Sequence, residues 1–139
     1  MTPNPSTDEQ HLTLLTIFHY VVGGMGVLFS CFPLIHVALG IFMLNEPKLF
    51  GDEPAQQPPP VVGWMFAGMG ATIFVIGQVL SIGILIAARS LQRRVRYNFA
   101  FVMACIECIL MPIGTVLGVF TILVLSRPSV KSLFERTAA

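Results

Sequence analysis

The hydrophobic positions of the chain fall into three long blocks, at residues 12–44, 61–88 and 99–125. Each block exceeds the roughly 20 residues that a helix needs to cross about 30 Å of hydrocarbon. Charged residues are almost absent from all three blocks. The pattern therefore predicts an all-α, polytopic membrane protein.

The first block is too long for one straight span, because a helix of residues 12–44 would extend about 50 Å. We expect a break at the glycines of residues 23–26 or at Pro33, which removes a backbone hydrogen bond. One broken span with an interfacial beginning and two half-length helices both satisfy the pattern, and we favour the first. Residues 1–7, ahead of this block, are polar and contain two prolines, and we expect them to be disordered.

The polar segments between the blocks differ in charge. Residues 46–60 hold three acidic residues, one lysine and five prolines, whereas residues 89–96 hold four arginines. A short cluster of arginines between membrane segments stays on the cytoplasmic side. We therefore predict that residues 89–96 form a cytoplasmic loop and that residues 46–60 form an outer loop.

The third block is interrupted at Pro112, which either kinks a single span or begins a returning helix. A single span would place Arg127 and Lys131 on the side of the membrane opposite the arginines of residues 89–96. A hairpin places both basic groups on the cytoplasmic side, and we favour it for that reason. The predicted hydrophobic segments are then residues 12–44, 62–88, 97–111 and 113–127.

The C-terminal tail, residues 128–139, is predicted to be a short interfacial helix. Val130, Leu133 and Phe134 share one face of it, and long basic side chains nearby can reach anionic headgroups. The residues predicted to set topology and contact membrane lipids are Arg89, Arg93, Arg94, Arg96, Arg127 and Lys131.

Composition supports a membrane protein and adds little about chemistry. The 139 residues, one domain by length, are 55% hydrophobic and 11% charged, whereas soluble domains carry about 25% charged residues. A net charge of +1 gives no reason to expect a nucleic-acid partner. The first 11 residues contain no Lys or Arg, so we expect no signal peptide and a retained first segment.

Small residues recur at heptad spacing along the second block, and such strips let two helices approach closely in lipid. A shorter pair follows Pro112 in the third block. We expect the strip on the second block to pack against a second copy of the chain or a larger membrane complex. The predicted helix-packing positions are Gly63, Ala67, Gly70, Gly77, Ser81, Gly114 and Gly118.

Glu107 is the acidic residue of the third block, and a carboxylate in hydrocarbon normally faces protein or water. Helix rise places it about 15 Å into the membrane, and three other polar side chains at similar depths. We therefore predict a midplane polar layer, formed by His36, Gln78, Glu107 and Thr115.

Two interpretations of this layer stay open. In one, Glu107 handles protons or ions with His36 as its partner. In the other, which we favour, the layer is a hydrogen-bonded structural knot with Glu107 uncharged, because burial disfavours the ionised form. His19 is expected only as an interfacial polar tip between Phe18 and Tyr20.

Cys105 and Cys108 stand one helical turn apart, a spacing that suits a redox pair or half of a metal site. No second cysteine pair accompanies them, and Cys31 lies alone in the first block. We therefore favour plain helix contacts for all three cysteines and expect no metal or cofactor.

Two segments resemble a group of small uncharacterised bacterial inner-membrane proteins. The hairpin motif of that group, Met/Phe-Pro-Ile-Gly-Thr-x-Leu-Gly, is matched at residues 111–118, and the likeness extends to residue 134. The opening of the group is similar to Leu-Leu-Thr-Ile-Phe-His-Tyr-Val-Val at residues 14–22. The resemblance implies a bacterial inner-membrane location and no particular chemistry.

The residues therefore predict a non-enzymatic integral membrane protein, since no nucleophile–base or metal constellation stands out. We favour an accessory or assembly subunit that forms a homo-oligomer or joins a larger membrane complex through its small-residue faces. The alternative is an oligomeric carrier of ions, protons or small solutes that uses the midplane polar layer around Glu107.

Overall fold

The computed structural model describes residues 5–55, 57–110 and 112–138, and the side chains of residues 7–135 within these ranges. Every regular element in the described ranges is helical, which confirms the all-α prediction. The elements are α1 (Pro5–Phe29), α2 (Leu34–Asn45), a 3₁₀ turn (Pro47–Phe50), α3 (Pro60–Arg93), α4 (Tyr97–Glu107), α5 (Ile113–Leu125) and α6 (Pro128–Ala138).

Two helical stretches are long and apolar enough to cross a membrane. One is Thr7–Asn45, 39 residues of α1 and α2, and the other is Pro60–Arg93, 34 residues of α3. A third stretch qualifies only if α5 and the beginning of α6 count together, and these two are bent by 78° at their junction. The described part of the chain thus has two or three candidate spans, as an integral membrane protein requires.

The first stretch breaks at the turn between α1 and α2. The glycines of residues 23–26 stay inside α1, and the break comes at Pro33, which has no amide hydrogen for the helix. The amide of Leu34 donates to the carbonyl of Cys31, and the amide of His36 donates to the carbonyl of Pro33. Of the two expected break points, the proline is the one used.

Helix α1 begins earlier than the sequence pattern predicts. The prediction of disorder for residues 1–7 is wrong for residues 5–7, which form the first turn, while residues 1–4 lie outside the described residues. Proline loses no hydrogen bond at the first position of a helix, so Pro5 suits this start. Asp8 then places a negative charge near the positive end of the helix dipole.

The basic connection is shorter than the predicted loop. That prediction, residues 89–96, is wrong for residues 89–93, which continue α3, and only residues 94–96 link α3 to α4. The leucine, glutamine and arginines of the stretch are good helix formers, so nothing stops the helix earlier. The chain then reverses through Arg94 and Arg96, which both adopt a left-handed φ of 54°.

The chain divides into two compact units. The first, here called the pair unit, joins Met1–Met25 to Ser81–Ala139, and the second, here called the strip unit, is Gly26–Leu80. Large apolar side chains are exposed along the helices of both units; Leu28 is 75% exposed and Val102 is 55% exposed. Apolar surface of this extent suits contact with lipid.

In the strip unit, α2 packs antiparallel to α3 through small residues. A Cβ atom on Gly40 would lie 2.5 Å from the backbone nitrogen of Ala67, and one on Gly63 would lie 3.0 Å from the carbonyl oxygen of Gly40. One on Gly70 would lie 2.8 Å from the carbonyl oxygen of Pro33. The small-residue strip of the second block is therefore covered over these positions by α2 and the turn before it, in the same chain.

In the pair unit, α4 and α5 run antiparallel as a hairpin. The backbone of Gly118 lies directly against the carbonyl of Ala104, and Gly114 approaches the end of α4 with similar closeness. At the other end, the Tyr97 hydroxyl donates to the Leu125 carbonyl over 2.9 Å. Both arms begin where the sequence predicts, at residues 97 and 113, and each ends slightly earlier than predicted.

Helix α6 forms at the tail, and two side chains of its apolar face are buried within the protein, while its interfacial location stays a prediction. Val130 and Phe134 are buried in a core with Leu12 of α1, Leu91 of α3 and Leu125 of α5. The protein itself therefore covers the side of the tail that the sequence assigns to lipid, because three other helices supply apolar partners there. The exposed side of α6 carries Lys131.

We expect Gly70→Ala to lower the free energy of unfolding by about 1–3 kcal/mol, because the new methyl group would overpack against Pro33. Gly77→Ala should act alike, since its Cβ would lie 2.6 Å from the Cβ of Ser30. Gly68 is the matched control, because no atom of the described residues would lie within 4 Å of its Cβ. Thermal unfolding in detergent measures the difference, and equal melting of the three variants would contradict the close approach of α2.

Candidate functional site

A histidine and a glutamate face each other inside the pair unit. His19 lies within α1 and Glu107 is the last residue of α4, and both side chains are 0% exposed. The Nε2 atom of His19 and the Oε2 atom of Glu107 are 3.2 Å apart. The prediction that His19 is an interfacial tip is wrong, because the ring is fully enclosed.

The position of His19 follows from the inward face of α1. Leu12, Leu15, Thr16 and His19 are all buried, and their spacing places them on one side of the helix. The Thr16 hydroxyl donates to the Leu12 carbonyl over 2.8 Å, so that group is satisfied within the helix. The spacing of His19 from Leu12 and Leu15 is the sequence signal that could have indicated its burial.

The environment of the His19 ring determines which nitrogen carries a proton. Nδ1 lies 2.8 Å from the carbonyl oxygen of Leu15. A carbonyl oxygen only accepts hydrogen bonds, so Nδ1 must carry hydrogen and donate it. Nε2, which faces Glu107, is then either the acceptor of a neutral ring or the second donor of a protonated ring.

The His19 and Glu107 side chains are close together, but no well-directed hydrogen bond joins them. At 3.2 Å the two atoms are close enough for an ion pair, yet among the described residues neither Nε2 nor either carboxylate oxygen makes a well-directed hydrogen bond. The 3.2 Å separation of two enclosed side chains defines the contact. Both carboxylate oxygens are buried.

The two facing groups are able to share one proton. A shared proton would lie either on Glu107, beside a neutral ring, or on His19, beside a carboxylate, and the net charge would be zero in both forms. A buried pair whose charge is balanced in this way avoids most of the cost of burying an isolated charge.

The predicted midplane residues have other partners in the structure. The Thr115 hydroxyl donates to the Cys108 carbonyl over 2.8 Å and closes the hairpin turn. In the strip unit, the Gln78 amide donates to the Val27 carbonyl over 3.3 Å, and the His36 ring stacks on Phe66 with centroids 6.2 Å apart. The group in contact with Glu107 is His19, and a common layer of the four residues stays a prediction.

A second polar cluster joins the beginning of α1 to the beginning of α6. Asp8 is 2% exposed, and its two carboxylate oxygens accept hydrogen bonds from Arg127, over 3.0 Å, and from the Ser129 hydroxyl. Nearby in the chain, Arg94 donates to Glu9 over 3.0 Å. One end of the pair unit therefore gathers basic residues from two separate segments.

The remaining predicted positions are accounted for as follows. Ser81 is buried in the pair unit, and Cys105 is exposed while Cys108 is half-buried, with its sulfur against Gly118. No group of three or more potential metal ligands occurs within the described residues. Of the six basic positions predicted to contact lipid, Arg94 is half-buried and the other five are exposed, namely Arg89, Arg93, Arg96, Arg127 and Lys131.

Comparison of the chain with protein-family models, with curated proteins and with solved structures finds no match.

Proposed function

We propose that this chain is a non-enzymatic integral membrane protein that handles protons, with the His19–Glu107 pair as its proton-binding site. One observation carries this function: two side chains that can each bind a proton face each other over 3.2 Å, and both are fully enclosed. Ionisable residues that are enclosed between membrane helices commonly belong to proton relays. This function corresponds to the carrier that the sequence predicts as its alternative, except that His19 replaces His36 as the partner of Glu107.

Exchange of the proton would be coupled to movement of the helices. The pair without its proton carries a charge of −1, and with a second proton it carries +1. A net charge in a dry interior costs several kcal/mol, so either change favours a form in which water reaches the pair. Separation of α1 from α4 would let water reach the pair. A proton carrier needs this coupling, because its binding site must open to water when it gains or loses the proton.

Proton flux into vesicles tests this function. We expect the wild-type protein, reconstituted into liposomes with a trapped pH-sensitive dye, to dissipate a pH gradient, and Glu107→Gln to abolish the flux. Gln keeps the shape and donates to Nε2, so thermal stability should stay near that of the wild type. Glu107→Leu should lower stability by about 1–3 kcal/mol, because the Nε2 atom of His19 loses its partner.

Thr121→Val is the matched control for these variants. Thr121 is fully buried in the same unit, and its hydroxyl donates only to the Leu117 carbonyl of its own helix, over 2.7 Å. Its replacement should leave the flux unchanged. Flux that survives in Glu107→Gln, or no flux above empty liposomes for the wild type, would rule the function out and leave the pair as a structural knot.

A second function, an accessory or assembly subunit, is favoured by a different observation. The side of α3 around Gly68 is uncovered, and Ala71 and Thr72 beside it are exposed as well. Small exposed residues on a membrane helix let a helix of another molecule approach closely. A second copy of the chain or a larger membrane complex would fit this face.

We expect Gly68→Leu to weaken self-association or complex formation in mild detergent without lowering thermal stability, because the longer side chain pushes a partner away. Ile73→Leu, also on α3 and at a position that is 51% exposed, is the control of nearly equal size. Light scattering on the purified protein measures the oligomeric state. A wild type that is monomeric and co-purifies with nothing would remove support for this function.

We also propose an orientation. The Glu9–Arg94 and Asp8–Arg127 contacts support it, since they gather the beginnings of α1, α4 and α6 at one basic end of the pair unit. The positive-inside rule assigns that end to the cytoplasm. In this proposal α1–α2 and α3 cross the membrane, α4–α5 forms a re-entrant hairpin, and, by the resemblance at residues 111–134, the membrane is a bacterial inner membrane.

Cysteine labelling from outside intact cells tests the orientation. In a variant without native cysteines, Asp52→Cys should react with an impermeant maleimide, whereas Asn98→Cys and Glu135→Cys should react only after the membrane is opened. All three positions are exposed, so access depends on the side of the membrane. External labelling at position 135 would contradict the hairpin.

A further inference from the structure

An apolar groove of about 610 Å³ runs between α1 and α5 in the pair unit. Leu14 and Phe18 line it from α1, and Val116 and Phe120 line it from α5. Each of these four side chains is at least half exposed, so the groove is open along one side. Its volume lies in the range of about 300–1,000 Å³ that is typical of ligand sites.

The groove is polar at one end only. His11 lies at that end, and its Nδ1 atom is buried without a hydrogen-bond partner among the described residues. His11 is also close enough to Asp8 for their charges to interact, and Asp8 is paired with Arg127. The Arg127 side chain is 46% exposed, so it can bind a second anion. With His11 protonated, these three groups together carry a charge of +1.

We propose that the groove binds one acyl chain of an anionic phospholipid, with the phosphate at His11 and the tail directed toward Pro112 and Ile113. The unpartnered nitrogen would donate to a phosphate oxygen, and hydrogen bonds to a charged acceptor are the stronger kind. The Arg127 guanidinium adds a second donor for the same group. An acyl chain matches the rest of the groove, whose other lining residues are all apolar.

The length of the groove fits one leaflet. Along α1 it extends from His11 to Val22, which is about 16 Å of helix. Half of a hydrocarbon core of about 30 Å has nearly the same length. In the proposed orientation, on which this inference rests, His11 lies at the cytoplasmic end, where the headgroups of that leaflet would be.

Quenching of tryptophan fluorescence by brominated lipid tests the site. The chain has a single tryptophan, so the background is Trp64→Phe. Phe120→Trp places a reporter in the groove, and Leu123→Trp places the control reporter on the same helix outside it; the two positions are 59% and 60% exposed. The protein is reconstituted into phosphatidylcholine vesicles that contain a minor fraction of phosphatidylglycerol brominated on its acyl chains.

We expect brominated phosphatidylglycerol to quench the reporter at position 120 at roughly tenfold lower mole fraction than brominated phosphatidylcholine. Both lipids carry the phosphate, but only phosphatidylglycerol has a net negative headgroup for the positive charge at His11 and Arg127 to attract. The reporter at position 123 should respond equally to both lipids. His11→Ala should remove the preference at position 120 while proton flux is retained, which separates failure of this inference from failure of the proposed function.

Other occupants of the groove would give other results. Equal quenching at positions 120 and 123, or equal quenching by the two phospholipids, would mean ordinary lipid contact and overturn the proposal. Stronger quenching by a brominated free fatty acid would assign the groove to that ligand. Crosslinking of Phe18→Cys between two copies, with no quenching at position 120, would assign it to a second copy of the chain.

A measurement on the unsubstituted protein guards against a variant that fails to fold. In native mass spectrometry, the wild type should retain one phosphatidylglycerol molecule at detergent concentrations that strip phosphatidylcholine. His11→Ala should lose this difference. A wild type that retains neither lipid, or both to the same extent, would overturn the proposal.

Discussion

A histidine and a carboxyl group that share one proton can stay inside an apolar protein because the pair as a whole carries no charge. His19 and Glu107 face each other over 3.2 Å with both side chains 0% exposed, and they connect α1 to the end of α4. The alternative, a single buried charge, would cost several kcal/mol and would open the packing around it. The arrangement of α1 against the hairpin in the pair unit therefore depends on keeping these two side chains together.

Two other acidic side chains of α1 pair with arginines near the ends of helices. Asp8 is enclosed, but its partner Arg127 is 46% exposed, and Glu9 and Arg94 are both partly exposed. An exposed member of a pair can keep contact with water or lipid headgroups, so it needs less from its partner. Of the ionisable pairs among the described residues, His19–Glu107 is the one in which both side chains are 0% exposed. That difference is why the proposed function is assigned to this pair.

Close approach between backbones is the second constraint, and it changes the meaning of the glycine strip. Gly63 and Gly70 were the sequence's main indication of a partner, and the partner found for them is the α2 region of the same chain. A heptad of small residues indicates that some helix comes close, because only a side chain of that size leaves room. It cannot distinguish a helix of the same chain from a helix of another. The structure shows that the α2 region covers one side of α3, at Gly63 and Gly70, and leaves the side at Gly68 uncovered.

The sequence by itself determined the helical class, the apolar lengths, the two possible break points of the first block and the two arms that begin at residues 97 and 113. These features depend on local properties, namely the hydrophobicity of consecutive residues and the missing amide hydrogen of proline. The partner of Glu107 was decided only by the tertiary structure. His19 and Glu107 are far apart in the chain, and whether they meet depends on the rotation and register of α1 against α4. Side-chain packing over the whole unit sets both quantities, and no single segment contains that information.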